Sequence, residues 1–323
     1  MNQDSLKIAS GMLRAVVAGA SCDDVAKQYG ASKSAVSQRI RLLASTLQQI
    51  VGVDGVDEDV SPSARLIREH GESYLEALDH FVPDAAIPPS EGDQQAVAAH
   101  LQYLVQRIQR HSRCVQRDTA LLLTLFSTAA KPLEIAQLEV RDYLDAAGAV
   151  RERATIRAQI AINHCERILH FRNNATNAAI DAYLAERVTH GQGTHLALTY
   201  RGLDPHSRLF LTRSGDAFQV KQAGTHSHHA VCKEIHEIFR RIFALGGHSG
   251  INTAMARRLA AYRLHVDGAN AEEIGAALGV KILAVHKLLQ PFEGRSRPPR
   301  VIANAINVAS SFSGGRPAVG RTA

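Results

Sequence analysis

The sequence predicts a mainly α-helical protein with a small antiparallel sheet, divided into two domains of unequal size. Three observations carry this expectation. Apolar residues recur at helical spacing through most of the chain. Clean alternation of apolar and polar residues is confined to 155–163, with a partner stretch at 166–171. A run rich in proline and glycine, 83–92, interrupts the helical pattern. A chain of 323 residues, 45% of them apolar, can bury a substantial core, and its length suggests two domains.

Composition narrows the function classes. No apolar run approaches the ~20 residues a membrane span needs. Met1-Asn2-Gln3-Asp4 lacks the basic start and apolar core of a signal peptide, which points to a cytoplasmic protein with no membrane partner. Cys22, Cys114, Cys165 and Cys232 are scattered, without paired spacing for zinc or a disulfide framework, and read as reduced thiols. The net charge of +6 and pI near 9.3 favour a polyanionic partner. That charge is uneven: residues 1–82 carry eight Lys/Arg against eleven Asp/Glu, so any nucleic-acid contact there must come from a local patch. No cofactor motif is present.

Within the first domain, 1–82, residues 5–17 are amphipathic, with Leu6, Ala9, Leu13, Val16 and Val17 near helical spacing. Ser21 is placed to cap a short helix whose first turn holds Asp23 and Asp24, and Val25, Ala26 and Tyr29 form its buried face. Gly30 permits a sharp turn, and Ser32 caps a second helix with Ala35, Val36, Ile40 and Leu43 inward. This leaves Lys33, Ser34, Ser37, Gln38 and Arg41 outward at the start of that helix, where a recognition helix meets base edges and phosphates. An ordinary helical hairpin would carry the usual Glu/Lys mixture; here small polar residues lead, and no acid occurs from Lys33 to Val53. Residues 51–60 suit a short hairpin wing, and Ser61-Pro62-Ser63 then opens a long helix through Leu66, Ile67, His70, Tyr74, Leu75, Leu78 and Phe81, with Ser61 as cap. The order Ala35-Val36-Ser37-Gln38-Arg39-Ile40, wing, Ser61-Pro62-Ser63-Ala64, long helix resembles the winged helix-turn-helix of LysR-type regulators. In that family the long helix pairs two subunits. The acidic wing (Asp54, Asp57, Glu58, Asp59) departs from it.

After a linker at 83–93, the second domain, 94–292, opens with a helix over 94–115, carrying a single-sign cluster of Arg107, Arg110, Arg113 and Arg117 at its end. The stretch Leu121-Leu122-Leu123-Thr124-Leu125-Phe126, then Lys131-Pro132-Leu133-Glu134-Ile135-Ala136-Gln137-Leu138, resembles the signature of tyrosine recombinases (phage integrases) around their first phosphate-clamping arginine. The likeness continues through Leu209-Phe210-Leu211-Thr212-Arg213-Ser214-Gly215, the helix over 231–245, Ala254-Met255-Ala256-Arg257-Arg258, and Ala277-Leu278-Gly279-Val280, so that it spans 117–289. It implies a recombinase-like fold with Lys131 and Arg257 beside one backbone phosphate and Arg258 adjacent. Lys131 stands at the first arginine, keeping the charge without the bidentate fork. Ala254 and Val280 stand at the two histidines, and Leu289 at the strand-cleaving tyrosine. No tyrosine occurs beyond Tyr262, and no lysine between Lys131 and Lys221, where the family presents a general acid on a hairpin.

Strand cleavage requires a nucleophile, proton-transfer groups and cationic stabilisation of the phosphorane. Only the cations remain, so no catalytic residue is expected. The reading is a non-catalytic, site-specific DNA-binding protein, an accessory or architectural factor in site-specific recombination of a mobile element, such as transposon cointegrate resolution. A DNA-binding transcriptional regulator is the alternative. Its candidate DNA-binding residues are Ser32, Lys33, Ser34, Ser37, Gln38, Arg41, Lys131, Arg257 and Arg258. Expected partners are double-stranded DNA, a catalytically active tyrosine recombinase and further copies of the chain on DNA. Residues 268–289 also match 19–40 and have the spacing of a second helix-turn-helix, but Ile282 and Leu283 replace Lys33 and Ser34, which favours a buried element closing the domain. His226-Ser227-His228-His229 fits no metal spacing and reads as a polar loop. The basic tail, 293–323, is either disordered and touching DNA or a short helix over 300–312 docking on a neighbouring subunit.

Overall fold

The computed structural model describes residues 3–53, 55–56, 60–79, 81, 93–197, 199–222, 230–247 and 252–289. The chain is mainly helical, with a small two-stranded antiparallel sheet in the larger body and a shorter strand pair beside it. The expected linker, tail and His226–His229 loop fall almost wholly outside the described residues, as do four residues of the expected wing.

The first body is five helices: α1 (Gln3–Val17), α2 (Cys22–Tyr29), α3 (Lys33–Ile50), α4 (Ala64–Glu69) and α5 (Gly71–Asp79). Their shared core takes Ala9, Met12, Leu13 and Val16 from α1, Val25 from α2, Val36, Ile40, Leu43 and Leu47 from α3, and Ile67, Tyr74 and Leu78 from α4 and α5. Fully burying a side chain of this size contributes about 1.5–3 kcal/mol. The single long helix expected after Ser61 is two short ones. Ser63, not Ser61, supplies the cap by accepting from the Leu66 N–H at 3.1 Å. The break at His70 brings Gly71 against α1, where a Cβ would stand 2.6 Å from Val17 Cγ1. Both pieces therefore fold back onto their own core.

The larger body is organised around α7 (Val115–Thr128), whose residues 120–126 are all buried. A helix apolar on every side belongs in a core. Around it stand α6 (Asp93–His111), α8 (Pro132–Gln137), α9 (Val140–Tyr143), α10 (Asn174–Thr189), α11 (Lys233–Ala244) and α12 (Thr253–Val266). α10 is anchored by a fully buried arginine. Arg187 donates to the carbonyls of Gln192, Arg208 and Leu209 and to Ser207 Oγ, so its desolvation is met by four acceptors.

β1 (Arg153–Ile156) pairs with β2 (Arg167–His170) in the register Arg153↔His170 to Ile156↔Arg167. The first strand ends well before the expected residue 163, because the chain turns at Arg157, whose carbonyl accepts from both Ile160 and Ala161. A second short pair, β3 (Lys221–Gln222) with β4 (Ala230–Val231), was not foreseen from the pattern.

Behind α12 follow α13 (Ala271–Leu278) and α14 (Ile282–Leu289), which pack with Ala129 into a small satellite core around Ala261, Ile274, Leu278, Val285 and Leu288. Here one expectation is corrected. Ile282 and Leu283 are not buried by closing the domain: they are 45% and 63% exposed, at the leading end of α14. The contacts of α14 come from the opposite face, so the apolar pair is left outward.

Candidate nucleic-acid interface

The turn between α2 and α3 has the geometry its sequence dictates. Ser21 Oγ accepts from the Asp24 N–H at 3.1 Å and starts α2. Gly30, at φ 59°, ends α2 in the left-handed region that favours glycine. Ser32 Oγ then accepts from the Ala35 N–H at 3.2 Å and starts α3. Val36 and Ile40 anchor the helix underneath. Ser32, Lys33, Ser34, Gln38 and Arg41 are exposed and Ser37 is half-buried, so these six form one outward face. Lys33 pairs with Asp23 at 2.7 Å across the turn, both side chains more than half exposed, which orients the lysine without removing it from solvent. No acid lies in the first turn of α3, so its positive helix end and Lys33 add.

A second cationic group lies where α3 ends. At about 1.5 Å per residue, 18 residues place the two groups about 27 Å apart, so they are not one site. Lys131 and Arg257 line a common cavity of about 40 Å³ with Thr253, Ala254 and His236. Residues 126 positions apart in the sequence thus stand on the walls of one cavity. Arg258 is buried as well, yet it is not among the residues that line this cavity.

Arg257 is held by two backbone carbonyls. Its Nη1 donates to the Ala129 carbonyl at 3.2 Å and its Nη2 to that of Leu278 at 3.3 Å, tying the end of α7 to the end of α13. Glu134 instead takes both guanidinium arms of Arg167, from β2, and also accepts from the Lys131 N–H at 2.8 Å, as the capping residue of α8. Arg167 explains an inversion in the small sheet: the arginine points inward and Ile168 outward, because the carboxylate lies on the inner side. Arg167 is the residue that the sequence missed.

Three buried cations, Lys131, Arg167 and Arg257, thus stand around one buried carboxylate. Burial pushes the Lys131 ammonium well below its ordinary range. Arg257 and Arg167 lower it further, and Glu134 opposes them. For Glu134, burial works upward, but the Arg167 hydrogen bonds and charge, with Lys131, overcome it and hold the carboxyl below its usual value. Such a surplus of positive charge is suited to an anion. Among the described residues no tyrosine lines the cavity. Ala254 stands on its wall, and Leu289 sits in the satellite core beside Ala129.

The cavity is roofed by the first body. Gln48, Gly52, Val53, Gly55 and Val56 form its other wall, and Thr253 Oγ1 donates to the Val51 carbonyl at 3.3 Å. Within the expected wing, Val53 and Val56 form an isolated antiparallel bridge around Gly55, at φ 75°. A Cβ on Gly55 would stand 2.9 Å from the Ala230 carbonyl oxygen, so this turn is pressed onto the second body.

Cys22, Cys114, Cys165 and Cys232 are all free thiols, and no helix among the described residues is long and apolar enough to cross a membrane. Among the described residues no group of His, Cys, Asp or Glu is arranged to hold a metal ion.

No protein-family model matches the sequence, and no curated protein matches it. Solved structures that resemble the fold include two recombinases. The crystal structure of XerA recombinase is 15% identical, with 90% of this chain and 99% of that one covered, at a TM-score of 0.42. The XerH site-specific recombinase bound to palindromic difH substrate, in a post-cleavage complex, is 13% identical, with 89% and 92% covered, at a TM-score of 0.41. Similarity at this level assigns no role to any residue, and the roles given to residues here rest on this chain's own chemistry.

Proposed function

We propose that the protein is a non-catalytic, site-specific DNA-binding protein that serves as an accessory or architectural factor in site-specific recombination of a mobile element. The observation that carries the DNA-reading part is the α2–Gly30–α3 turn with Lys33, Ser34, Gln38 and Arg41 exposed at the start of α3. Side chains so placed reach the major groove when the helix enters it, and Gln and Arg are the side chains that read adenine and guanine edges. The non-catalytic part is supported by the makeup of the cation cavity, which among the described residues has no tyrosine on its walls to serve as a nucleophile. The recombination context follows from the tyrosine-recombinase motifs of the sequence.

The regulator reading is favoured by the helix-turn-helix itself. Its second element, a long pairing helix, is replaced by α4 and α5 folded onto their own core.

The test is incubation with supercoiled DNA carrying the protein's own selected binding site. We expect retention of the DNA without nicking, relaxation or a covalent adduct, for the wild type and for Leu289→Tyr alike. An adduct that survives denaturant would refute the non-catalytic reading, and the absence of any retention would refute the DNA reading.

A further inference from the structure

The arginine cluster at the end of α6 does not act as a unit. Arg107 donates to the Leu245 carbonyl at 3.3 Å and Arg110 stays in solvent, whereas Arg113 and Arg117 line a cleft between the α6–α7 turn, the 212–218 loop and α11. Arg213, from the loop, and Arg241, from α11, line the same cleft. Its volume is about 440 Å³, against about 40 Å³ for the cation cavity, and lies within the usual range for a small organic ligand. The two are separate sites. This cleft lies at the start of α7 and Lys131 follows its end, so 14 residues of helix, about 21 Å, stand between them.

Part of the charge around the cleft is committed. Asp118 accepts from Arg117 Nε at 3.0 Å and Nη2 at 2.8 Å and from Ser112 Oγ at 2.6 Å, so the buried Arg117 is neutralised. Glu234 accepts from the Gln219 N–H at 2.9 Å. Three guanidiniums are left for a ligand. Arg113 and Arg213 are exposed and take no ion pair among the described residues, and Arg241 reaches Asp118 only at 3.6 Å, with its side chain 61% exposed. One exposed carboxylate, Glu237, shares the wall with them, and the buried Phe218 and Ile238 form an apolar flank. Clustered guanidiniums suit a phosphate, which they grip through paired N–H donors. A carboxylate in the same cleft repels that phosphate and needs donors of its own, which sugar hydroxyls supply.

We propose that this cleft binds a small phosphorylated, hydroxyl-bearing ligand, a sugar phosphate or a mononucleotide. Its phosphate is held by Arg113, Arg213 and Arg241, and its hydroxyls donate to Glu237, while the carbon skeleton lies against Phe218 and Ile238. The site is separate from the leading face of α3 and from the cation cavity, so it stands or falls independently of DNA reading.

Cys114 lies on the wall of the cleft and Cys165 is exposed between β1 and β2, which gives the full chain an internal reporter. Alkylation of each by iodoacetamide is followed by peptide mass spectrometry at constant ionic strength, with ribose 5-phosphate, 5′-AMP, ribose or inorganic phosphate added. Ribose 5-phosphate should slow the reaction of Cys114 and leave Cys165 unchanged, with half-protection at a concentration roughly tenfold below that of inorganic phosphate, the gain expected from hydroxyl contacts. Ribose alone should not protect. Half-protection by 5′-AMP at a lower concentration than by ribose 5-phosphate identifies the mononucleotide as the ligand, and the reverse order identifies the sugar phosphate. Arg113→Gln/Arg213→Gln changes two exposed residues and should lose the protection, whereas Arg110→Gln/Arg172→Gln, equal in charge and outside the cleft lining, should keep it. Equal protection by inorganic phosphate and ribose 5-phosphate would reduce the cleft to an unselective anion site and overturn the proposal. Protection of both cysteines or of neither would overturn it, and so would protection that survives Arg113→Gln/Arg213→Gln. Protection by a random-sequence duplex and by none of the small ligands would assign these arginines to the DNA backbone instead.

Discussion

The chain builds the same three-helix unit twice and puts the two copies to opposite uses. In α1–α3 and α12–α14 the first helix ends in a glycine turn, Gly19 at φ 101° and Gly268 at φ 97°. A capped eight-residue helix follows, started by Ser21 in one and Asn270 in the other. A left-handed glycine, Gly30 or Gly279, leads into the third helix, where Val36 and Val285 are equally buried. The first unit turns its third helix outward with Lys33, Ser34 and Gln38. The second carries Ile282, Leu283 and Lys287 at the matching places and turns its first helix inward, so that Thr253, Ala254 and Arg257 wall the cation cavity. Caps, glycines and apolar anchors therefore set the scaffold, and the few residues that do not serve the scaffold decide what it does. Four sets of substitutions test that separation, from the largest expected effect to the smallest.

The inward use depends on one carboxylate. Glu134→Gln leaves Arg167 buried without its counter-charge, at a cost of about 3–5 kcal/mol in urea unfolding. The pH dependence has a definite sign. A carboxyl held below its ordinary value of 4.5 in the folded state contributes stability that is present above that value and is lost as pH falls through the folded-state value. Acidification from pH 5 should therefore destabilise the wild type more steeply than the variant. Parallel curves would show that the Glu134–Arg167 pair is not the hub of the cavity.

Replacing Gln38 or Arg41 by alanine should cost about 1–3 kcal/mol at a selected DNA site, with little change on random duplex, whereas Lys287→Ala at the matching place of the second unit should leave site discrimination intact. Loss of discrimination with Lys287→Ala would make both units readers and dissolve the contrast.

The caps should behave alike in both units. Ser21→Ala and Asn270→Ala each remove an acceptor from helix-start N–H groups, and each should lower stability by about 0.5–2 kcal/mol. Unequal losses beyond that range would mean the units are not equivalent scaffolds.

Lys131→Met should have the smallest effect on unfolding and one of opposite sign. Burial lowers the folded-state pKa of Lys131, so the unfolded chain holds that proton more tightly at neutral pH, and removing the amine should stabilise the fold. A clear destabilisation would show that the ammonium supports the structure.

What was legible in the sequence followed from whether the signal is local. The α2–α3 turn was readable because Ser21, Gly30 and Ser32 act on neighbours a few residues away. The meeting of Lys131 with Arg257 was readable only through motif spacing. Arg167 was not, because on an alternating strand it occupies a position that pattern alone cannot orient, and its partner Glu134 lies 33 residues earlier. α10 escaped notice since its inward face includes Thr176 and Arg187, which spoil the apolar stripe. The exposed Ile282 and Leu283 ran against expectation because a binary pattern presumes that apolar residues at a helix start find cover. The division of one long helix at His70 came from the close approach of Gly71 to Val17, a contact between segments that no local pattern announces.

The central claim is that this chain reads DNA sequence through the leading face of α3. Selection from a random-sequence duplex pool, carried out in parallel with the wild type and with Gln38→Ala/Arg41→Ala at physiological salt, tests it most directly. The wild type should enrich a defined sequence, and the double variant, shown to be folded by its thermal transition, should enrich none or one altered at the bases those side chains contact. Enrichment of the same sequence by both proteins, or of no sequence by the wild type, would contradict the account.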